Sequence, residues 1–286
     1  MKIIRSILSI QKRVENERKK SKKIGIVPTM GYLHQGHISL AKHSVKECDI
    51  TVLSIYVNPT QFAPGEDYAK YPRDLKRDIV LAKKAGVDYL FVPTDRDMYP
   101  AGFSSKLIVS DFTQMLCGAS RPGHFNGVTT IVLKLFNIIG PSIAYFGLKD
   151  AQQVVVISKM VKDLNLPVKI KALPIVREDD GLAMSSRNAY LSYAQRLQAL
   201  SSYQALLKAK QLIRQGECNC AKIKSIMKRL ILRGKSVRID YIAIVDAEDL
   251  SVKKHIKAKV LIAIAVFIGK VRLIDNITIE VKSKKS

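Results

Sequence analysis

From Ile24 to Ile175 the sequence alternates short β-branched runs with amphipathic stretches, and few folds accept that rhythm. Ile24–Val27, Thr51–Val57, Asp88–Val92, Ile143–Phe146 and Val168–Ile175 read as strands. His37–Glu47, Tyr71–Ala85, Phe125–Ile139 and Asp150–Leu164 read as helices between them. Strands separated by helices of roughly ten to fifteen residues indicate parallel βαβ units with right-handed crossovers. The expected class is therefore α/β, with a Rossmann-type parallel sheet domain. After Asn188 the texture changes. Ser192–Gln215 reads as a long helix, with Ser192 as N-cap and Gly216 beyond its end. Ala221–Arg233 reads as a second helix closed by Gly234, followed by strands at Ile239–Val245, Val260–Ile268 and Val271–Val281. This pattern predicts a smaller C-terminal α+β domain, dividing the chain into 1–176 and 177–286, with the junction between Ile175 and Arg187. The first residues, MKIIRSILSI, predict a strand or helix start, since no small-residue cleavage site follows them. The tail Lys282–Ser286 is expected to fray.

Composition narrows the function classes. Of the 286 residues 47% are hydrophobic, enough for a sizeable core. Lys and Arg number 48 against 24 acidic residues, a net charge of +24. The lysines are scattered, without the aromatic-and-Arg texture of a nucleic-acid surface, so a solvated basic surface and no nucleic-acid partner are expected. Cys48, Cys117, Cys218 and Cys220 contain a single close pair, C-x-C, which is neither a disulfide framework nor a zinc pattern. A reduced, cytoplasmic protein follows. The longest apolar run, Val260–Gly269, is about half a membrane span and reads as a buried strand. No membrane partner is expected.

The chemistry-bearing stretch is VPTMGYLHQGHISL, Val27–Leu40, at the junction of the first Rossmann-type strand and its helix. Ligands of parallel sheets bind at carboxyl ends of strands, beside helix N-termini that favour phosphate. Gly31 and Gly36 allow close backbone approach. His34 and His37, three apart, reach the same side and can donate to phosphate oxygens as charge develops. A zinc site would need further ligands; HExxH is absent, and His43, His124 and His255 are not spaced to supply them. No protein-held metal site is expected. Two histidines satisfied within an ordinary loop is the other local reading. A second stretch, GLAMSSRNAYL, carries two hydroxyls and a guanidinium suited to phosphate oxygens.

H-x-G-H after the first strand, joined to a later Ser/Arg loop, resembles the nucleotidyltransferases and class I aminoacyl-tRNA synthetases. PTMGYLHQGH, VNPTQF, YPRD, RPGHFNGV, GLKDAQQ, GLAMSSRN and VRLIDN, in that order, narrow the resemblance to the pantothenate synthetase family over nearly the whole chain. The resemblance implies ATP-dependent joining of pantoate to β-alanine through pantoyl adenylate, with AMP and pyrophosphate as products. It implies Mg²⁺ with the ATP and a homodimer. It assigns ATP binding to Met30, Gly31, Tyr32, Leu33, His34, Gln35, Gly36 and His37, with free backbone amides wrapping the nucleotide. Gly147, Leu148, Lys149, Asp150, Val176, Met184, Ser185, Ser186 and Arg187 complete the nucleotide site. Catalytic roles fall to His37 as proton donor, His34 steadying phosphates, and Lys149 as a point charge. Gln61 is expected at pantoate and β-alanine and Gln153 at pantoate, with Asn58 nearby and Pro28, Met30 and Phe62 as an apolar wall. Tyr71 and Arg121 are candidates for the substrate pocket, and His124 reads equally as a helix start. Leu148 stands where the family motif carries glutamate, so no side-chain role is expected there. Two rival functions share parts of this pattern: a nucleotidylyltransferase stopping at an adenylylated product, and an RNA-associated module using the positive charge.

Overall fold

The structure, a computed structural model, describes residues 1–234 and 236–281. The tail Lys282–Ser286 lies outside the described residues.

Six parallel strands form one sheet: β1 (Lys2–Ile4), β2 (Ile24–Thr29), β3 (Ile50–Ile55), β4 (Tyr89–Phe91), β5 (Ile143–Gly147) and β6 (Lys169–Leu173). Their order is β1-β4-β3-β2-β5-β6. The N-terminal segment supplies both a strand and a helix, α1 (Ile7–Lys19), whose Ser6 cap accepts the Ser9 N–H and whose Ile10 and Val14 lie on one buried face. Helices α2 (Gln35–Glu47) and α3 (Leu75–Lys84) cover one face of the sheet, burying Ile38, Leu40, Ala41 and Ala82 against Val27, Leu53, Leu90 and Tyr145. Two four-residue helices, α4 (Asp95–Met98) and α5 (Cys117–Ser120), are too short to carry an apolar period; α4 starts at a capping box between Thr94 and Asp97. Helices α6 (His124–Ile139) and α7 (Ala151–Asp163) join α1 on the other face, over Ile26, Val52, Phe91, Ala144 and Phe146.

The chain runs from β2 outward through β3 to β4, then returns to the far side of β2 at β5. The loops after β2 and β5 therefore diverge at their carboxyl ends, which opens a crevice for a ligand.

Beyond β6, α8 (Tyr193–Arg214) begins at the expected Ser192, in a capping box with Gln195. Asn219 caps α9 (Cys220–Ile231). Strands β7 (Val237–Asp246), β8 (Val260–Ile268) and β9 (Val271–Ile279) form an antiparallel sheet, with a register shift between Ile239 and Tyr241. One face of β8, Ile262, Ile264 and Val266, packs on α8 and α9. The other, Leu261 and Ala263, packs toward Ala151 of α7, so this strand is apolar on both faces. The expected helix over Tyr71–Ala85 starts later, because Asp74 accepts the Arg77 N–H and caps the chain there. Among the described residues no helix is long and apolar enough to cross a membrane.

Candidate active site

The loop after β2 is held by its own side chains. His34 is the N-cap of α2; its Nδ1 accepts the Gly36 N–H at 3.1 Å, and His37 Nδ1 accepts the His34 N–H at 3.3 Å. The two rings lie 4.0 Å apart, centroid to centroid. Because each Nδ1 is an acceptor, the proton of each neutral ring sits on Nε2, the one nitrogen left to offer a ligand. The expectation of free amides along the whole loop is corrected. Gly31 N–H goes to Thr29 Oγ1, and the Tyr32 and Leu33 N–H groups go to the Asp78 carboxylate. Leu33 is fully buried in the core.

Burial keeps both imidazoles neutral. It pushes His34 down to about 4, with Lys149 adding to the effect, and holds His37 well below its ordinary value, with His34 and Lys149 as further causes. His124, the first residue of α6, is also pushed down to about 4 by burial and then by Arg121. Its Nδ1–H donates to the Gln61 carbonyl at 2.7 Å, and its Nε2 accepts from Arg121 at 3.1 Å. All three histidines are neutral when folded, whereas the unfolded chain protonates near 6.5. Below that pH the unfolded state binds more protons, so stability falls as pH drops from about 6.5, and the shares of His34 and His124 level off beneath about 4. Melting scans should show Tm decreasing between pH 7 and pH 5, and less steeply in His124→Asn, whose amide replaces the Nδ1 donor without titrating. An unchanged slope in that variant excludes His124 as a contributor.

Gly147 ends β5, and Leu148–Asp150 form a single 3-10 turn leading into α7. The Leu148 and Lys149 carbonyls both accept from the Asn276 side chain of β9, at 2.9 and 3.0 Å. The structure thus uses the backbone of Leu148, and its side chain does not line the cleft. Asp150 is the N-cap residue of α7, but its carboxylate accepts no cap hydrogen bond; it stands 48% exposed, 3.9 Å from Lys149 Nζ. Of the two adjacent glutamines, Gln152 is structural: it ties Cys117 N, Phe112 O and Met115 O together. Gln153 faces the cleft.

Beside the histidines lies the expected polar pocket. Asn58, 1% exposed, donates to Gln61 Oε1 and to the Gly127 carbonyl, while its own oxygen accepts from Tyr99. These bonds orient the Gln61 amide so that its Nε2 points at Met30 Sδ, 2.9 Å away. Pro28, Met30, Phe62, Tyr71, Arg121 and His124 line the same cavity. So do Val128, Ile131, Val132 and Leu135 of α6, which sequence reasoning missed. That helix is buried over most of its circumference, with one narrow side around the exposed Asn137, so its periodicity does not separate a cavity wall from a core face.

The Ser/Arg loop closes the cleft from above. The Met184 N–H donates to the Val176 carbonyl at 3.0 Å, and Ser185 Oγ accepts the Arg187 N–H. Arg187 forms a bidentate pair with Asp67 and lies over the Tyr71 ring. Arg121 pairs likewise with Glu66. Neighbouring Arg177 is bidentate to Asp275, fastening the loop to β9.

Two adjoining cavities, about 220 and about 760 Å³, make up the cleft and share Arg121, His124, Lys149, Asp150, Gln153, Ser185 and Arg187. Met30, His34, Gly36, His37, Gln61, Gly147, Val176, Met184 and Ser186 line the smaller one. Gly31, Tyr32, Leu33, Gln35 and Leu148 line neither. Among the described residues no group of three or more His, Cys, Asp or Glu could hold a metal ion.

A doubly wound parallel sheet with two neutral imidazoles, a lysine and an arginine round the crevice at its switch point defines a nucleotide-dependent enzyme of the H-x-G-H kind. Residues 2–278 match the family model described as pantoate-beta-alanine ligase. The pantothenate synthetase of Caldicellulosiruptor bescii is 52% identical over 282 residues, covering 99% of this chain and 100% of that protein. The crystal structure of pantothenate synthetase from Thermus thermophilus superposes with a TM-score of 0.92 at 42% identity, covering 97% of this chain and 99% of that one. The pantoate-beta-alanine ligase of Francisella tularensis, solved in complex with beta-gamma ATP and beta-alanine, has a TM-score of 0.78 at 37% identity, with 97% of each chain covered. The chain belongs to the pantoate–β-alanine ligase family, and it is a ligase.

Proposed function

We propose that the cleft joins pantoate to β-alanine in two steps. The pantoate carboxylate attacks the α-phosphorus of ATP; the new P–O bond forms as the bond to pyrophosphate breaks. The β-alanine amine then attacks the acyl carbonyl, loses a proton, and AMP leaves. The convergence of neutral imidazole donors, cations and two glutamine amides on one crevice supports this reading.

His34 and His37 donate from Nε2 to phosphate oxygens, and Lys149 and Arg187 offset the charge that builds as pyrophosphate departs. Arg187 must exchange Asp67 for phosphate to do so. The fixed tautomers support His37 as a hydrogen-bond donor rather than the proton donor that the resemblance implies. Gln61 and Gln153 hold the pantoate hydroxyls and carboxylate, against the apolar wall of Pro28, Met30 and α6. Val176 and Met184 border the base. Mg²⁺ accompanies the ATP. The uncapped Asp150 is the carboxylate that would touch it. Bound there, the ion would offset phosphate charge. Residues 1–176 act as the catalytic domain and 177–286 as a lid that keeps water from the adenylate; the bonds from Asn276 to the Leu148 and Lys149 carbonyls, which cross between the two, support this plan. The family resemblance supports a cytoplasmic homodimer.

The test is an assay of AMP and pyrophosphate with each substrate omitted in turn. AMP release must require both pantoate and β-alanine; pyrophosphate release alone, without β-alanine-dependent AMP, would mark a nucleotidylyltransferase. In the same assay Gln153→Ala should raise the pantoate KM about tenfold or more, the scale of a lost hydrogen bond to a charged group. An unchanged pantoate KM would remove Gln153 from the acid site.

A further inference from the structure

The histidine loop rests on a residue that the reaction does not touch. Gly31 and Tyr32 both lie in the left-handed region, at φ +80 and +47. For tyrosine that conformation is strained and needs an outside hold. Asp78, in the first turn of α3, supplies it. One carboxylate oxygen accepts the Tyr32 N–H and the other the Leu33 N–H, each at 2.7 Å, the length of charge-assisted bonds. Asp78 is 1% exposed, although its position at a helix start would normally leave a carboxylate in water. Burial pushes its carboxyl up, against the lowering pull of the two N–H donors. The fit is close: a Cβ on Gly31 would stand 3.0 Å from Asp78 Oδ2 and 2.9 Å from Ile55 Cγ2. Thr29 holds the start of the same turn, accepting the Gly31 N–H and donating to the Ser54 carbonyl.

The next residue after this doubly pinned turn is His34, whose ring sets the start of α2 and whose N–H orients His37. We infer that Asp78 is a positioning residue for nucleotide binding: its buried carboxylate fixes the left-handed Gly31–Tyr32 turn and thereby sets where the His34 and His37 Nε2 donors stand. The inference rests on the reading that those rings meet the phosphates of ATP.

Asparagine at 78 keeps the shape but offers one acceptor, and its amide N–H faces a backbone N–H. In Asp78→Asn the ATP KM should rise about tenfold or more while the pantoate KM stays within about twofold, as expected when donors move by a fraction of an ångström to an ångström. A purely structural role would lower Tm and the active fraction and leave both KM values alone. Should Asp78→Asn fail to fold, Asp78→Ser, which leaves room for water at the two amides, takes its place with the same expected split. His34→Ala is measured alongside. A folded Asp78 variant with wild-type ATP KM, beside a His34→Ala enzyme whose ATP KM is raised, overturns the positioning role and leaves the phosphate reading intact. If His34→Ala also leaves the ATP KM unchanged, the phosphate reading itself fails, and the role of Asp78 with it.

Discussion

Replacing His37 with alanine is expected to lower kcat for adenylate formation by about 10²–10³-fold, the usual loss when one preorganised donor to a developing charge is removed. The fold should survive. His37 caps the His34 N–H, and losing such a cap costs about 1 kcal/mol. The mode of action separates two variants. Burial holds the ring neutral, and its Nδ1 accepts a backbone N–H, so what it can give is an Nε2 hydrogen bond. Glutamine also carries a terminal N–H donor but has no titrating group. His37→Gln should therefore recover about tenfold over His37→Ala in single-turnover measurements of pyrophosphate release. Equal loss in the two variants would show that a proton, and not a hydrogen bond, is transferred at this position.

Gly127→Ala should damage both stability and the acid site. Gly127, in α6, lies against the turn Pro59–Gln61 that follows β3. An added Cβ would overlap the Thr60 carbonyl and stand 2.6 Å from the Gln61 amide nitrogen. These are backbone atoms that cannot rotate aside, so helix and turn must separate. Overpacking of this kind costs about 1–3 kcal/mol. The movement also disturbs the Asn58 bond to the Gly127 carbonyl, which aims the Gln61 amide. A lowered Tm and a raised pantoate KM are expected together. A variant with wild-type values of both would mean that helix and turn do not meet.

Much of this architecture is legible along the chain because its signals are local. Five expected strands of the parallel sheet fall within a few residues of β2 to β6, since β-branched runs between helical periods specify them. The N-cap serine at 192 places the start of α8 to the residue. His34 and His37 stand out because two imidazoles and two glycines gather at one strand–helix junction, although the same rings also cap α2. What stays hidden are contacts between distant segments. Asp78 looks like any acid in a helical first turn, and its bond to residues 32 and 33 exists only once α3 packs beside the loop. Gln152 and Gln153 are neighbours with the same side chain; only the path of α7 sends one into structure and the other into the cleft. The wall supplied by Val128 and Ile131 is invisible for a related reason, because a helix buried over most of its circumference has no face that announces a ligand.

The bonds from Asn276 to the carbonyls of residues 148 and 149 carry a lesson for dissecting the molecule. A fragment ending after β6 would contain every strand of the parallel sheet and both imidazoles, yet the turn bearing its lysine would lose two amide donors that arrive from more than a hundred residues downstream. Such a half-protein would be a scaffold with its ammonium group adrift, and any attempt to shrink this enzyme has to carry the last hairpin along.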